Sequence, residues 1–570
     1  MTVGKMSVAA VLALACGMGP LEARADPVNV VELTMSQIEA GLNSAQFTDQ
    51  DLVQSYLSRI QTYNPYYNAF TWINPDAMAQ AAAADAIIAA NGGVVPGDLP
   101  MLGVPVVIKD SMNVAGVRTT GGFSGFTAEN GGVDMIAAAD APIVARLKAA
   151  GAIILGKTNL PQFARTGSNA NTSYLGPTYN TYNRDLLPGG SSTGTATAVS
   201  GSFAAIGTAE ETGGSIQNPA GAQSLVGVKT TFGLVPTSGG IPLNGSTRDV
   251  FGVNARTVTD AANFLSVIAG YDASDPNTAK SLGHVPMTGY AANLSTNALA
   301  GKKIGLWSSD FKNVQLSAET QALYDKDVAI LKAQGATVVE NPFADPNLAQ
   351  KFNTLASAPI TTSKGTFTFS AYSGANEPYD LTQWLQTLDA TKSPTSVQAF
   401  QTATGINLLA QNGVLLGSYT STPGLSTSVT EPTVSQTELV DAFMQGRAKM
   451  LAAFEQVMAD YGIDAFFFPQ EYKELGPLFG GAYANTTVSE VNLMGTPEVD
   501  LPGGYYESGS PFSVAFLGDT FSEAELLSYA YDFEQATLFR TTPTLVPEPA
   551  SLAMLGVGCM GMLMRRRKGV

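Results

Sequence analysis

The sequence predicts an α/β fold, a β-sheet covered by helices. Three observations carry that expectation. Short, wholly apolar runs bounded by turn residues recur along the chain, as buried strands require. Segments with apolar residues at helical spacing alternate with them. The composition suits a large globular body: of 570 residues, 45% are hydrophobic and only 14% charged, against roughly 25% charged in an average soluble domain. Such a chain buries a substantial core and is neither disordered nor a coiled coil. No internal repeat is evident.

The elements follow in order. Thr48-Asp49-Gln50-Asp51 is a helix start, with Leu52, Val53, Tyr56, Leu57 and Ile60 behind it at helical spacing. Pro75 to Asn91 is an Ala-rich helix with proline in its first turn and Gly92-Gly93 after its end. Val104 to Ile108 is a buried strand, Ile143 to Ala150 a helix stopped by Gly151, and Ala152 to Leu155 another buried strand. Ser192 to Ala205 carries mostly small side chains, as a helix packed close to a sheet would, although Gly194 and Gly201 weaken it. Phe203 to Ala209 continues as a strand. Lys302 to Trp307 and Ala336 to Glu340 read as strands around a helix at Thr320 to Gln334. Asp464 to Pro469 is a very hydrophobic strand and Ser522 to Ala536 a late helix. Residues 360–440, rich in Thr, Ser and Gly, read as a lid or a substrate-facing insertion.

Charge and scarcity exclude several functions. The net charge is -17, so a nucleic-acid partner lacks its basic footprint. The one histidine, His284, leaves a single candidate base for a His-dependent triad, and its loop-like setting reads as surface. With two cysteines, Cys16 and Cys559, a zinc site of the His/Cys type cannot readily be assembled.

Both cysteines lie in terminal segments that resemble addresses. Lys5, the apolar run Met6 to Met18 and the small-residue site Ala23-Arg24-Ala25 form a secretory signal over residues 1–25. Leu14-Ala15-Cys16 is a competing lipoprotein pattern. At the other end, Val546-Pro547-Glu548-Pro549 leads into the apolar run Leu552 to Met564 and then Arg565, Arg566, Arg567 and Lys568. The run is shorter than the roughly 20 residues of a comfortable membrane span, and its basic end would stay cytoplasmic. This three-part tail, 546–570, resembles the PEP-CTERM sorting signal. That resemblance implies transient anchoring in the inner membrane, cutting by a sorting protease and delivery to the cell envelope or beyond. The body, 26–545, then has no cysteine, hence neither disulfides nor a thiol nucleophile. It is also strongly acidic, which favours neutral or cationic substrates.

The chemistry concentrates in two Gly/Ser-rich stretches, Pro188-Gly189-Gly190-Ser191-Ser192-Thr193-Gly194 and Glu211-Thr212-Gly213-Gly214-Ser215. Neither is a phosphate loop, for no lysine follows the glycines, and neither opens a dinucleotide fold. The G-x-S-x-G pattern of a serine elbow is missing around both serines. What remains is a serine hydrolase without histidine. Its base would be a carboxylate or a lysine neutralised by burial. Lys109, at the end of the apolar run Val104-Pro105-Val106-Val107-Ile108, fits the second choice. A lysine snorkelling from a strand end is the plainer reading of that residue alone.

With these segments in view, the chain resembles the amidase signature family. Ser191 and Ser215 stand twenty-four positions apart, as in that family. Gly103-Val104-Pro105 to Lys109-Asp110, Thr119-Thr120-Gly121-Gly122, Gly156-Lys157-Thr158-Asn159, Gly176-Pro177-Thr178, Val226 to Thr230, Ala255 to Asp260, Asn492 to Pro497 and Glu534-Gln535-Ala536 agree with it. The resemblance spans nearly all of Val30 to Thr541. It implies a single large domain with a mixed central sheet and helices on both faces. It also implies an acyl-serine mechanism for cleaving a small-molecule or peptide carboxamide without metal or cofactor. Ser215 is then the nucleophile, Ser191 the relay behind a cis Gly190-Ser191 bond, and Lys109 the base. Backbone N–H groups of Thr212, Gly213, Gly214 and Ser215 hold the oxyanion. Thr193, Glu210-Glu211 and Gln217 depart from the usual residues: Glu211 and Gln217 meet as anion and amide, which bears on substrate more than on catalysis. Two other readings stand beside this one: a glutaminase-type subunit of a tRNA-dependent amidotransferase, disfavoured by the export signals, and a non-catalytic matrix protein retaining an amidase shell.

Overall fold

The computed structural model describes residues 27–306, 314–340, 342–343, 354, 358–363, 365–368, 376–409 and 437–546. The expected signal segment and the sorting tail beyond Val546 lie outside these residues. Among the described residues no helix is long and apolar enough to cross a membrane.

The apolar runs become strands. In chain order these are β1 (Phe70–Ile73), β2 (Pro105–Lys109), β3 (Ile153–Thr158), β4 (Ile206–Glu211), β5 (Val226–Lys229), β6 (Val250–Ala255), β7 (Lys303–Leu306) and β8 (Thr337–Val339). A small hairpin of β9 (Pro359–Thr362) and β10 (Gly365–Thr368) comes next, then β11 (Ala465–Pro469), β12 (Glu498–Tyr505) and β13 (Pro511–Leu517). All but the hairpin join one sheet in the order β1-β3-β2-β4-β6-β5-β12-β13-β11-β7-β8. The sheet is mixed: β3, β2 and β4 run parallel, as do β11, β7 and β8, with antiparallel pairs between. Strands β2, β3, β4, β6, β11 and β13 are buried at every residue. Helices cover the sheet, which explains why these strands read as continuous apolar runs rather than alternating ones.

The small-residue segment after Ser191 is a helix, Thr193–Ser200, buried throughout. Its smallness is required: a Cβ on Gly194 would stand 2.4 Å from the Ala69 carbonyl and from the Asn159 nitrogen. The helix ends earlier than its composition suggests. Ser202 adopts φ +56°, and the Phe203 N–H turns back to the Ala198 carbonyl. The strand therefore starts at Ile206 rather than Phe203. Within 360–440, the helices Glu377–Leu385 and Val397–Thr404 pack Leu381, Trp384 and Phe400 into an aromatic cluster with Phe126 and Phe163.

Candidate active site

Because β2, β3 and β4 are parallel, their C-terminal ends open on one edge of the sheet, where ligands of α/β folds bind. Lys109 ends β2, and Glu210 and Glu211 end β4. Three lysines are fully buried among the described residues: Lys109, Lys157 and Lys229. Their partners separate them. Lys157 pairs with Asp110 at 2.6 Å. Lys229 donates to the Thr496 carbonyl, and burial pulls its pKa down to about 8. Lys109 alone reaches a candidate serine: its Nζ is 2.8 Å from Ser191 Oγ and 3.0 Å from the Glu210 carbonyl. Burial lowers the Lys109 pKa, while the Glu210, Asp249 and Glu211 charges oppose that shift.

Ser191 is itself buried, behind a cis Gly190–Ser191 bond. The turn before it has no room for side chains: at Gly190 a Cβ would lie 2.8 Å from the Thr166 carbonyl. Ser215 arrives from the loop that follows β4. The Ser192 N–H donates to the Ser215 carbonyl at 3.2 Å, tying the two Gly/Ser-rich stretches together. Ser215 is 6% exposed, and its hydroxyl makes no hydrogen bond among the described residues. The Lys109–Ser191 link is therefore a hydrogen bond, whereas the two serines are joined through backbone.

The loop carrying Ser215 is held by a carboxylate clamp. Glu211 accepts from the Ile216 N–H at 2.8 Å, the Gln217 N–H at 3.3 Å, Gln217 Nε2 at 2.6 Å and Asn492 Nδ2 at 2.7 Å. The anion–amide pairing expected for Glu211 and Gln217 is thus present and serves to hold the loop. The Thr212 hydroxyl donates to Asp249 at 2.5 Å. The backbone N–H groups of Thr212, Gly213, Gly214 and Ser215 find no acceptor among the described residues, so they remain available to a developing oxyanion. Gly214 takes φ +95°, which only glycine adopts without strain.

Glu210 differs from the sequence expectation. Its carboxylate lies 3.4 Å from Lys109 Nζ and accepts from Ser111 Oγ, so this departure from the expected pattern touches Lys109 directly. Sequence reasoning missed Asp249 and Arg248, which carry no local motif, and it gave Asn492, although within a matching segment, no role at the site. His284 is exposed and stacks on Phe521 at 4.1 Å between ring centroids.

Known proteins resemble this chain along most of its length. Residues 51–527 match the family described as Amidase, and residues 545–568 match the PEP-CTERM protein-sorting motif. The chain is 31% identical to a glutamyl-tRNA(Gln) amidotransferase subunit of Thiobacillus denitrificans, over 88% of this chain and 97% of that one. It is 30% identical to the same-named protein of Acinetobacter baylyi, over 90% and 98%. The solved peptide amidase of Stenotrophomonas maltophilia superimposes with a TM-score of 0.71 at 27% identity, covering 90% of this chain and 99% of that chain.

Proposed function

The chain belongs to the amidase signature family and is a hydrolase of carbon–nitrogen bonds; from that premise we propose that it cleaves a carboxamide through an acyl-serine intermediate, using Ser215, Ser191 and Lys109. Neutral Lys109 takes the Ser191 proton as Ser191 takes that of Ser215. The Ser215 oxygen then bonds to the amide carbon, and the oxyanion rests on N–H groups of Thr212 to Ser215. The C–N bond breaks as the leaving nitrogen recovers a proton through Ser191, and water releases the acyl group by the same relay. The contact that carries this reading is the 2.8 Å approach of Lys109 Nζ to Ser191 Oγ at full burial.

A serine-reactive phosphonate tests it. Labelling at Ser215, lost in Ser215→Ala together with all turnover, is the expected result. An unlabelled Ser215, or a Ser215→Ala chain that still hydrolyses amides, refutes the assignment.

The PEP-CTERM match implies export and membrane sorting. We further propose that residues 1–25 are removed as a signal peptide, that the body is 26–545, and that the tail 546–570 anchors the chain until a sorting protease cuts it. The curated relatives' name favours a second reading, as one component of a tRNA-dependent amidotransferase. Co-purification with tRNA and a partner subunit would support that reading.

A further inference from the structure

Three arginines converge near the Ser215 loop, and two of them are occupied. Arg165 pairs with Glu377. Arg447 donates from Nε to the Leu493 carbonyl at 2.9 Å and from Nη2 to the Thr247 carbonyl at 2.5 Å. Arg248 is different. Its guanidinium makes no hydrogen bond or ion pair among the described residues, and its Nε is buried without an acceptor.

Its position is fixed from both sides. The Arg248 N–H donates to the Asn244 carbonyl at 2.7 Å, and the next residue, Asp249, binds the Thr212 hydroxyl of the oxyanion loop. A Cβ on Gly213 would stand 3.3 Å from Arg248 Nη2. Gly213 is exposed and lies two residues from Ser215, within about 7 Å along the chain. Asp249 and Glu211 act on the guanidinium through their charge, but neither is hydrogen-bonded to it, because their oxygens face other donors. Asp249 accepts from Thr212 and from the Leu243 and Asn244 N–H groups, and Glu211 from Ile216, Gln217 and Asn492. Arg447, pushed down to about 9 by burial and by the Arg248 charge, is close enough for the two cations to repel. A guanidinium whose N–H groups have no acceptor, beside the Ser215 loop, can bind an anion through its own fork of donors.

We propose that Arg248 determines specificity by binding a carboxylate of the substrate, so that preferred substrates are amides bearing a carboxylate a few atoms from the scissile carbonyl. The inference rests on the amidase reading above. It reverses, locally, what the acidic body implies at long range, a field screened beyond roughly 8 Å at physiological salt.

The test compares ammonia release from two matched pairs at 0.15 M salt, a concentration of roughly physiological ionic strength. One pair is succinamate and its methyl ester. The other is the α-amide of N-acetylglutamic acid and its γ-methyl ester. The full chain is expected to prefer the free acid at least tenfold in kcat/KM, and Arg248→Gln to reduce that ratio at least tenfold, with Arg248→Lys between. Equal rates within each pair, a preference that survives in Arg248→Gln, or a parallel loss of both rates that leaves the ratio intact would each overturn the proposal. So would labelling of Ser215 by phosphonate with no turnover of either acid. An unlabelled Ser215 and no amide turnover instead reject the amidase assignment beneath it.

Discussion

At the scale of single residues, the unusual feature is a carboxylate against the proposed base. Lys109 must be neutral to accept a proton, and burial drives it that way, whereas Glu210 at 3.4 Å favours the charged form. In Glu210→Gln the amine loses its nearest anion and its pKa falls further. The acidic limb of the kcat/KM profile is expected to move to lower pH, because the active neutral form then persists at higher proton concentration. An unmoved limb assigns that limb to another group. Lys109→Ala removes the base itself. A drop of about 10²- to 10⁴-fold in kcat/KM is expected, the usual contribution of a positioned base, with residual activity rising with pH as hydroxide takes its place. Lys109, Ser191 and Ser215 were singled out as candidates through the family resemblance of the strand-end and Gly-rich segments that hold them. Arg248 was not, since nothing in its own segment marks it, and the segment of Asn492 was recognised without its contact to Glu211, because a contact far along the chain leaves no local signal.

At the scale of elements, local rules were readable where caps and periodicity agree. Thr48 caps the helix Asp49–Tyr67 in a reciprocal capping box with Asp51, as its four-residue start implied. The helix Thr437–Tyr461 buries Leu439, Phe443, Gly446, Met450, Phe454 and Val457 at three- and four-residue intervals. That period is present in the sequence, but the adjoining Thr/Ser/Gly-rich composition obscures it. The helix Thr193–Ser200 shows what periodicity cannot convey. It is buried on every side, so it has no polar face to reveal an amphipathic pattern. Its contact with the chain after β3 admits no side chain at Gly194. Gly194→Ala is expected to lower stability by about 1–3 kcal/mol, the usual range for overpacking, and to reduce kcat because the helix follows Ser191 and Ser192 directly. Urea midpoints and steady-state kinetics check both effects.

At the scale of the molecule, many carboxyl groups are buried with raised pKa values. Burial lifts Asp49, Asp249, Glu471 and Glu534 to about 7, Glu377 to about 8 and Asp327 to about 9. Both Asp327 oxygens lack a partner. These groups keep protons in the native state that the unfolded chain releases above roughly pH 4. Between pH 5 and 9 the unfolded state therefore binds fewer protons, and stability falls as pH rises. Differential scanning calorimetry is expected to show a Tm lower by about 5 °C or more at pH 8 than at pH 5, on the scale by which modest free-energy changes move Tm. A Tm that is flat or rises over that range would show the carboxyl groups ionised at little cost in the fold.

The sequence by itself determined the covered sheet, the family and the three side chains proposed to react. Apolar runs, turn residues and motif spacing are properties of neighbouring positions, and neighbours along the chain set them. Only the tertiary structure decided which buried lysine meets a serine, that Glu211 clamps the Ser215 loop, and that the Arg248 guanidinium makes no hydrogen bond or ion pair among the described residues. Those outcomes depend on distances between strands β2 and β4 and on loops from opposite ends of the chain. Such distances are set by how the whole sheet closes around its core.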